Sequence, residues 1–172
     1  MSPATIFRIH LVLGYVPWLL FLGAYGWPWL RSIGQVEAQR AIATLHSFRF
    51  FGLVFILPGV IGPKLPADFA SFAAYADFAT GLLAMAALLT VRIRPLFWLL
   101  VVAFNVVGAG DILIDYYHAT QINLPAIAGE LGATYAIPIL YVPILMITHV
   151  VAFYLLLRSQ LAAAPTLAGA SG

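Results

Sequence analysis

Apolar residues dominate the chain in five long runs, which are separated by short stretches that carry most of the charge. A helix needs roughly 20 mostly apolar residues to cross the hydrocarbon core of a bilayer. Five segments meet this requirement, and they are residues 11–30, 42–61, 69–91, 95–117 and 134–157. The pattern therefore predicts an all-α, polytopic integral membrane protein, with a bundle of five transmembrane helices within residues 1–158.

The links between these runs carry turn signals rather than a second domain. Gly62 and Pro63 mark a tight link between the second and third runs. Only residues 118–133 form a long connection. Residues 159–172 are rich in Ala, Gly and Ser, so we expect a disordered C-terminal tail there.

Composition agrees with a membrane location and excludes several classes of protein. Of the 172 residues, 63% are hydrophobic and 8% are charged, against roughly 25% charged residues in a typical soluble domain. A soluble enzyme, a nucleic-acid-binding protein and a disordered chain are therefore excluded. The lack of Cys excludes disulfides, thiolate metal sites and iron–sulfur clusters. We predict no metal site, and the lipid bilayer is the first expected partner.

Lys and Arg are distributed unequally between the two ends of the predicted bundle. The end that holds the N-terminus carries two of them, Arg8 and Lys64. The opposite end carries six, which are Arg31, Arg40, Arg49, Arg92, Arg94 and Arg158. Because cytoplasmic loops are enriched in basic residues, we expect the N-terminus outside and the C-terminus in the cytoplasm. A bacterial inner membrane is the expected location.

The fourth run carries the clearest departure from an apolar helix. Asn105, Gly108, Asp111, Asp115 and His118 follow one another at spacings of three, three, four and three residues. These spacings place all five on one face of a helix. Since ionisable groups are costly in lipid, we expect this face to point into the bundle and to carry a function.

Asp77 adds a further carboxylate in the third run, in the same half of the membrane as the acids of the fourth. Arg8 and Lys64 lie in that half too and could neutralise part of the negative charge. Carboxylates that are buried close together share a proton. Asp77, Asp111 and Asp115 are therefore the predicted catalytic or ion-coupling residues, and the alternative is that they are structural carboxylates.

The four histidines fall into two pairs of equal predicted depth. His10 and His118 lie in the outer half of the membrane, whereas His46 and His149 lie in the inner half, each pair on two different runs. Neutral imidazoles from two helices can be the axial ligands of b-type haem. Arg49 is one turn from His46 and is suited to a propionate. These five residues are the predicted cofactor-binding set, and haem b is the predicted cofactor.

Four functions are compatible with these residues, and the sequence leaves open whether the chain is an enzyme. The first is a b-type cytochrome-like protein that transfers electrons between a lipid-soluble quinone and an acceptor. The second is a proton- or cation-coupled carrier, or a binding protein for a lipid-like molecule, that uses Asp77, Asp111 and Asp115. Prolines within the first and fifth runs would interrupt its helices near the binding site. A membrane enzyme acting on a lipid is the third, and an accessory subunit of a membrane complex is the fourth. The sequence leaves equally open whether the chain forms a homo-oligomer.

Overall fold

Helix is the regular structure throughout the part of the chain that can be described. A computed structural model describes the backbone of residues 1–168 and the side chains of residues 1–158. Four helical stretches are long and apolar enough to cross a membrane, and they are Pro3–Ser32, Ala67–Leu89, Arg94–Gln121 and Ile137–Arg158. The predicted all-α class is confirmed, and these four stretches correspond to four of the five predicted spans.

In the described residues, six α-helices follow one another, with short 3₁₀ and π segments between some of them. The α-helices are α1 (Pro3–Phe21), α2 (Trp27–Ser32), α3 (Gln35–Ser47), α4 (Ala67–Leu89), α5 (Arg94–Gln121) and α6 (Val142–Ala168). One π turn, Leu22–Gly26, joins α1 to α2, and another, Ile137–Tyr141, leads into α6. Two 3₁₀ helices, Phe48–Ile56 after α3 and Leu124–Tyr135 after α5, complete the order.

The second predicted span, residues 42–61, differs most from the expectation. α3 already starts at Gln35, and its α-helical geometry ends at Ser47. The chain then tightens into the 3₁₀ helix Phe48–Ile56 and becomes extended at Leu57. Two shorter helices thus replace one continuous α-helix, so this part of the described chain contains no single helix of membrane-crossing length.

The C-terminal third also departs from the expected boundaries at its connections. The predicted long connection, residues 118–133, is largely helical, because α5 continues to Gln121 and a 3₁₀ helix follows from Leu124. The backbone of α6 extends to Ala168 and so enters the predicted tail, 159–172. Residues 169–172 lie outside the described residues, and the disorder of the tail stays a prediction.

Two apolar clusters fill the interior, one towards each end of the bundle. The cluster at the end that holds the N-terminus includes Phe7 and Phe69. The opposite cluster includes Ile42, Phe97 and Val101. Between the clusters, at the middle of the bundle, the buried side chains are polar, and they are His46, Arg49, Asp77, Thr80, Asn105, Asp111 and His149.

Helix α1 is attached to the rest of the bundle by polar contacts. The hydroxyl groups of Tyr15 and Tyr116 are 2.6 Å apart. Trp18 Nε1 donates to the carbonyl oxygen of Leu140 at 2.8 Å. That carbonyl lies in the π turn Ile137–Tyr141, which leads into α6. The first helix is therefore hydrogen-bonded to the place where the last helix changes geometry.

The 3₁₀ helix Leu124–Tyr135 is held against the loop that follows Phe48–Ile56. The backbone N–H of Gly62 donates to the carbonyl oxygen of Glu130 at 2.7 Å. Gly132 has φ 52° and ψ −127°, a conformation that is open mainly to glycine. A Cβ at Gly132 would also lie 2.5 Å from the carbonyl oxygen of Val60. Both backbone geometry and space therefore require glycine at this position.

We expect Gly132→Ala to destabilise the protein by about 1–3 kcal/mol, because alanine would be strained at this φ. The measurement is thermal unfolding in detergent, followed by far-ultraviolet circular dichroism. Gly129→Ala is the matched control, since a Cβ there would meet no atom within 4 Å. Equal melting temperatures for the two variants would contradict the requirement for glycine at position 132.

Candidate functional site

The site is centred on Arg49, near the start of the 3₁₀ helix Phe48–Ile56. Because α3 begins at Gln35, Arg49 lies roughly 20 Å along the helix axis from that start, at about 1.5 Å per residue. Its side chain is 1% exposed. Arg49 is therefore buried among the helices and not exposed at an end of the bundle, because the helix begins earlier than the apolar run does. Its role beside a propionate stays a prediction.

The guanidinium of Arg49 holds together the carboxylates of two different helices. Its Nε donates to Asp77 Oδ1 on α4 at 2.5 Å, and its Nη2 donates to Asp111 Oδ2 on α5. Its Nη1 donates to the carbonyl oxygen of Gly108 at 3.2 Å and to His149 Nε2 at 3.3 Å. The planar fork of arginine supplies donors in all these directions. Helices α4, α5 and α6 thus meet at one cation.

Glycine residues let the surrounding helices approach this cation. A Cβ at Gly108 would lie 2.5 Å from Arg49 Nη1 and 2.7 Å from His149 Nε2. A Cβ at Gly52 would collide with the side chain of Asp77. The face of α5 that carries Asn105, Gly108 and Asp111 therefore points into the bundle, as the spacing of these residues predicts.

His149 is held between Arg49 and Asn105 with both ring nitrogens in use. Arginine can only donate, so His149 Nε2 accepts and Nδ1 carries the hydrogen. Nδ1 then donates to Asn105 Oδ1 at 2.9 Å. The amide of Asn105 is oriented by its own bond to the carbonyl oxygen of Val101, at 2.8 Å. This fully buried imidazole is therefore a neutral, fixed tautomer.

His46 stacks on His149 but keeps one ring nitrogen free. The two ring centroids are 4.0 Å apart, with 38° between the planes. His46 Nε2 lies 3.0 Å from Thr148 Oγ1, and the Thr148 hydroxyl donates to the carbonyl oxygen of Ile144 at 2.7 Å. Nε2 therefore carries the hydrogen and donates to Thr148. His46 Nδ1 is then a buried acceptor without a partner in the described part of the chain.

The spacing of these histidines does not fit a haem between them. Two axial imidazoles lie on opposite faces of a porphyrin, which must fit between their rings. The rings of His46 and His149, with centroids 4.0 Å apart, are in direct contact. In the other predicted pair, His10 lies 3.0 Å from the hydroxyl of Tyr135, whereas His118 meets the ring of Phe72 edge-on. The contact between His46 and His149 therefore leaves no room for a porphyrin between their rings.

A cavity of about 350 Å³ lies beside Arg49, towards the end of the bundle that holds the N-terminus. Most of its wall is apolar and includes Phe7, Phe69 and Ile112. Its charged lining residues are Arg8, Arg49, Asp77 and Asp115, and we call the patch formed by Arg49, Asp77 and Asp115 the floor of the cavity. The cavity therefore combines apolar walls with a few convergent polar groups, as ligand sites do.

Asp115 is the carboxylate of the floor that no cation of the described residues pairs. It lies one helical turn beyond Asp111 on the same face of α5 and is half-buried. Its Oδ1 has no hydrogen-bond partner among the described residues, and neither has Asp111 Oδ1. Asp77 and Asp111 bind the guanidinium of Arg49, Asp115 lines the adjoining cavity, and Arg8 is the second cation of the cavity lining. The site has an excess of acidic groups, so it can hold a proton or a cationic ligand.

The pairing within the site could not be read from the sequence. Sequence analysis offered Arg8 and Lys64 as counterions for the acids, whereas the structure pairs Asp77 and Asp111 with Arg49. It also missed Thr148, which bonds His46. A hydroxyl that bonds a carbonyl of its own helix gives no distinctive spacing, so Thr148 carries no signal in the sequence.

Comparison with known proteins gives one family match. The profile of a family described as "Domain of unknown function (DUF8737)" matches residues 6–157. That range contains every residue of the arginine site and of the cavity. No curated protein and no solved structure matches the chain.

We expect Arg49→Ala to cost about 3–5 kcal/mol of stability, because it leaves two buried carboxylates without a counterion. Arg49→Lys should lose most of this stability too, since an ammonium cannot reach both carboxylates and a carbonyl at once. The measurement is unfolding in mixed micelles with increasing dodecyl sulfate.

The matched control for these variants is Arg40→Ala, which breaks an exposed ion pair with Glu37 whose side chains are 45% and 56% exposed. Such a pair contributes about 1 kcal/mol or less. A loss at Arg49 as small as the loss at Arg40 would show that the guanidinium does not hold the helices together.

Proposed function

The chain belongs to the family described as a domain of unknown function, DUF8737, and we propose that it is a membrane carrier that binds a small amphipathic molecule with a hydrogen-bond-donating head. One observation carries the proposal. The cavity of about 350 Å³ has apolar walls, and its floor includes Asp115, which forms no ion pair among the described residues, beside the Arg49–Asp77 ion pair. A carboxylate only accepts hydrogen bonds, so it suits an ammonium or hydroxyl head group.

The acidic residues support coupling of this ligand to a proton or another cation. When Asp77 and Asp111 are both ionised, Arg49 neutralises only one of the two charges, and Asp115 can add a third. Net charge is costly inside a membrane protein. A cationic head group and a proton would each reduce the excess, so the site is suited to exchange one for the other.

The helix interruptions support movement next to the cavity. The π turn Ile137–Tyr141 contributes Ile137 and Pro138 to its lining, and the 3₁₀ helix Phe48–Ile56 contributes Arg49 and Phe55. Such local departures from α-helical geometry often occur at functional sites. In carriers, interrupted helices form binding sites near the middle of the membrane.

We also propose that the chain crosses the membrane five times, with α3 and the 3₁₀ helix Phe48–Ile56 forming the second crossing together. Their 13 and nine residues, at about 1.5 and 2.0 Å each, reach roughly 37 Å, which exceeds a hydrocarbon core of about 30 Å. The distribution of Lys and Arg supports an outer N-terminus and a cytoplasmic C-terminus in a bacterial inner membrane.

Decylamine is the probe for the proposed ligand class. At saturating concentration in detergent, it is expected to raise the melting temperature by roughly 5 °C or more. Decanoate, which has the same chain with an acceptor head, should not do so. Asp115→Asn should abolish the shift. Asp68→Asn, at an exposed aspartate near the start of α4, should retain it. Equal shifts with the amine and the carboxylate would contradict the proposal.

Haem binding and electron transfer to or from a quinone form the competing proposal. Because the rings of His46 and His149 are in contact, we expect protein from haem-supplied cells to show no Soret band that shifts on reduction with dithionite. An absorbance spectrum before and after dithionite is the measurement. A reduced α band that disappears in both His46→Ala and His149→Ala would instead support the haem proposal.

A further inference from the structure

Four buried side-chain polar atoms lack a hydrogen-bond partner among the described residues. They are the Oδ1 atoms of Asp111 and Asp115, His46 Nδ1 and Gln39 Oε1. On the cavity side of Arg49, Asp115 lines the cavity, and Asp111 is bound to Arg49 itself. His46 and Gln39 lie on the other side, on α3, where a spacing of two helical turns puts them on one face.

Polar side chains continue along the contact between α3 and α6 as far as the end opposite the cavity. Gln39 is fully buried, and its Nε2 donates to the carbonyl oxygen of Ala152 at 3.1 Å. Gln35, one turn nearer that end, is half-buried and donates to the carbonyl oxygen of Leu155 at 3.2 Å. The side-chain amides of Gln35 and Gln39 therefore lie in a row between the end of the bundle and His46.

The unpartnered acceptor atoms at the contact between α3 and α6 indicate internal water. His46 Nδ1 and Gln39 Oε1 both accept, and neither has a donor among the described residues. Buried acceptors in native proteins are satisfied by protein donors or by internal water. An apolar contact between α3 and α6 would need neither glutamine, and it would not leave an imidazole nitrogen facing inwards without a partner.

We infer that water enters between α3 and α6 from the end opposite the cavity and reaches His46, whose Nδ1 accepts a proton relayed from the solution through this water. The proposed carrier is then coupled to protons, and it takes them up on the side away from its ligand. The coupling rests on the proposed function, whereas the water path stands on the geometry alone.

Burial and the positive charge of Arg49 oppose a proton on His46, whereas the two carboxylates bound to Arg49 favour one. The groups that face His46 are Arg49 from the 3₁₀ helix and the neutral His149 from α6, and Arg49 is already bound to Asp77 and Asp111. One guanidinium and two ionised carboxylates carry a net charge of minus one. A proton on His46 brings the set of His46, Arg49, Asp77 and Asp111 to neutrality. This proton becomes unfavourable once a cationic ligand binds at the floor.

Single cysteines test the water path, because the natural chain contains no Cys. Gln39→Cys and Ala43→Cys lie on the predicted path, because positions 39, 43 and 46 share one face of α3. Ala84→Cys is the control, at an equally buried alanine of α4. Membrane vesicles are treated with silver nitrate, and the remaining thiols are labelled with a maleimide after denaturation.

Silver ions are expected to block the two path cysteines at least tenfold faster than the control cysteine, and faster from the side opposite the cavity. Equally slow block at positions 39, 43 and 84 would overturn the water path. Faster block from the cavity side would overturn the direction of entry.

Decylamine binding in weakly buffered solution, followed with a pH indicator, tests the coupling. We expect wild-type protein to release about one proton for each amine bound, His46→Gln to bind with at least a fivefold smaller release, and Gln39→Leu to release the proton at least tenfold more slowly. Amine binding without proton release in the wild type would overturn the coupling and leave the proposed ligand site standing. Absence of amine binding would overturn the proposed function, while the silver result would still decide the water path.

Discussion

The arrangement of the bundle depends on one buried cation. A guanidinium in the middle of a membrane protein is tolerated only where carboxylates and carbonyl oxygens replace its hydration. Arg49 obtains these groups from α4, from α5 and from a histidine of α6. These helices must therefore meet at one depth, and the glycines at positions 52 and 108 keep the space that this meeting requires.

The same cation explains why the polar layer is more than a structural element. Two carboxylates bind one guanidinium, and a third lines the adjoining cavity. A purely structural ion pair in an apolar protein would be expected to balance its charges, because an unpaired buried charge is costly. The excess of acidic groups is therefore the feature that gives the cavity a chemical preference. Without these groups, a cavity with the same apolar walls would bind any apolar molecule of suitable size.

Helical periodicity was sufficient to predict the inward face of α5, since Asn105, Gly108 and Asp111 recur at the helical repeat and are buried together. It failed for Arg49, because the polar residues at the start of α3 end the apolar run too early. Gln39 is fully buried, yet it looks like an interfacial residue in the sequence. The change from α to 3₁₀ geometry at Phe48 has no periodic signal. Depth paired His46 with His149 correctly, but depth cannot give the ring separation on which a haem site depends.

Arg49 also prevents direct proton transfer between His46 and the cavity. Its guanidinium does not lose a proton under physiological conditions, so protons cannot pass through it from His46 to Asp115. The acceptors of His46 and Gln39 lie on one side of this barrier, and the free oxygens of Asp111 and Asp115 lie on the other. Communication between the sides must therefore be electrostatic, through the charge that Arg49 shares with Asp77 and Asp111. A continuous proton wire would leak, whereas a site divided by a permanent cation lets occupancy on one side change affinity on the other, which is what coupling between two ligands requires.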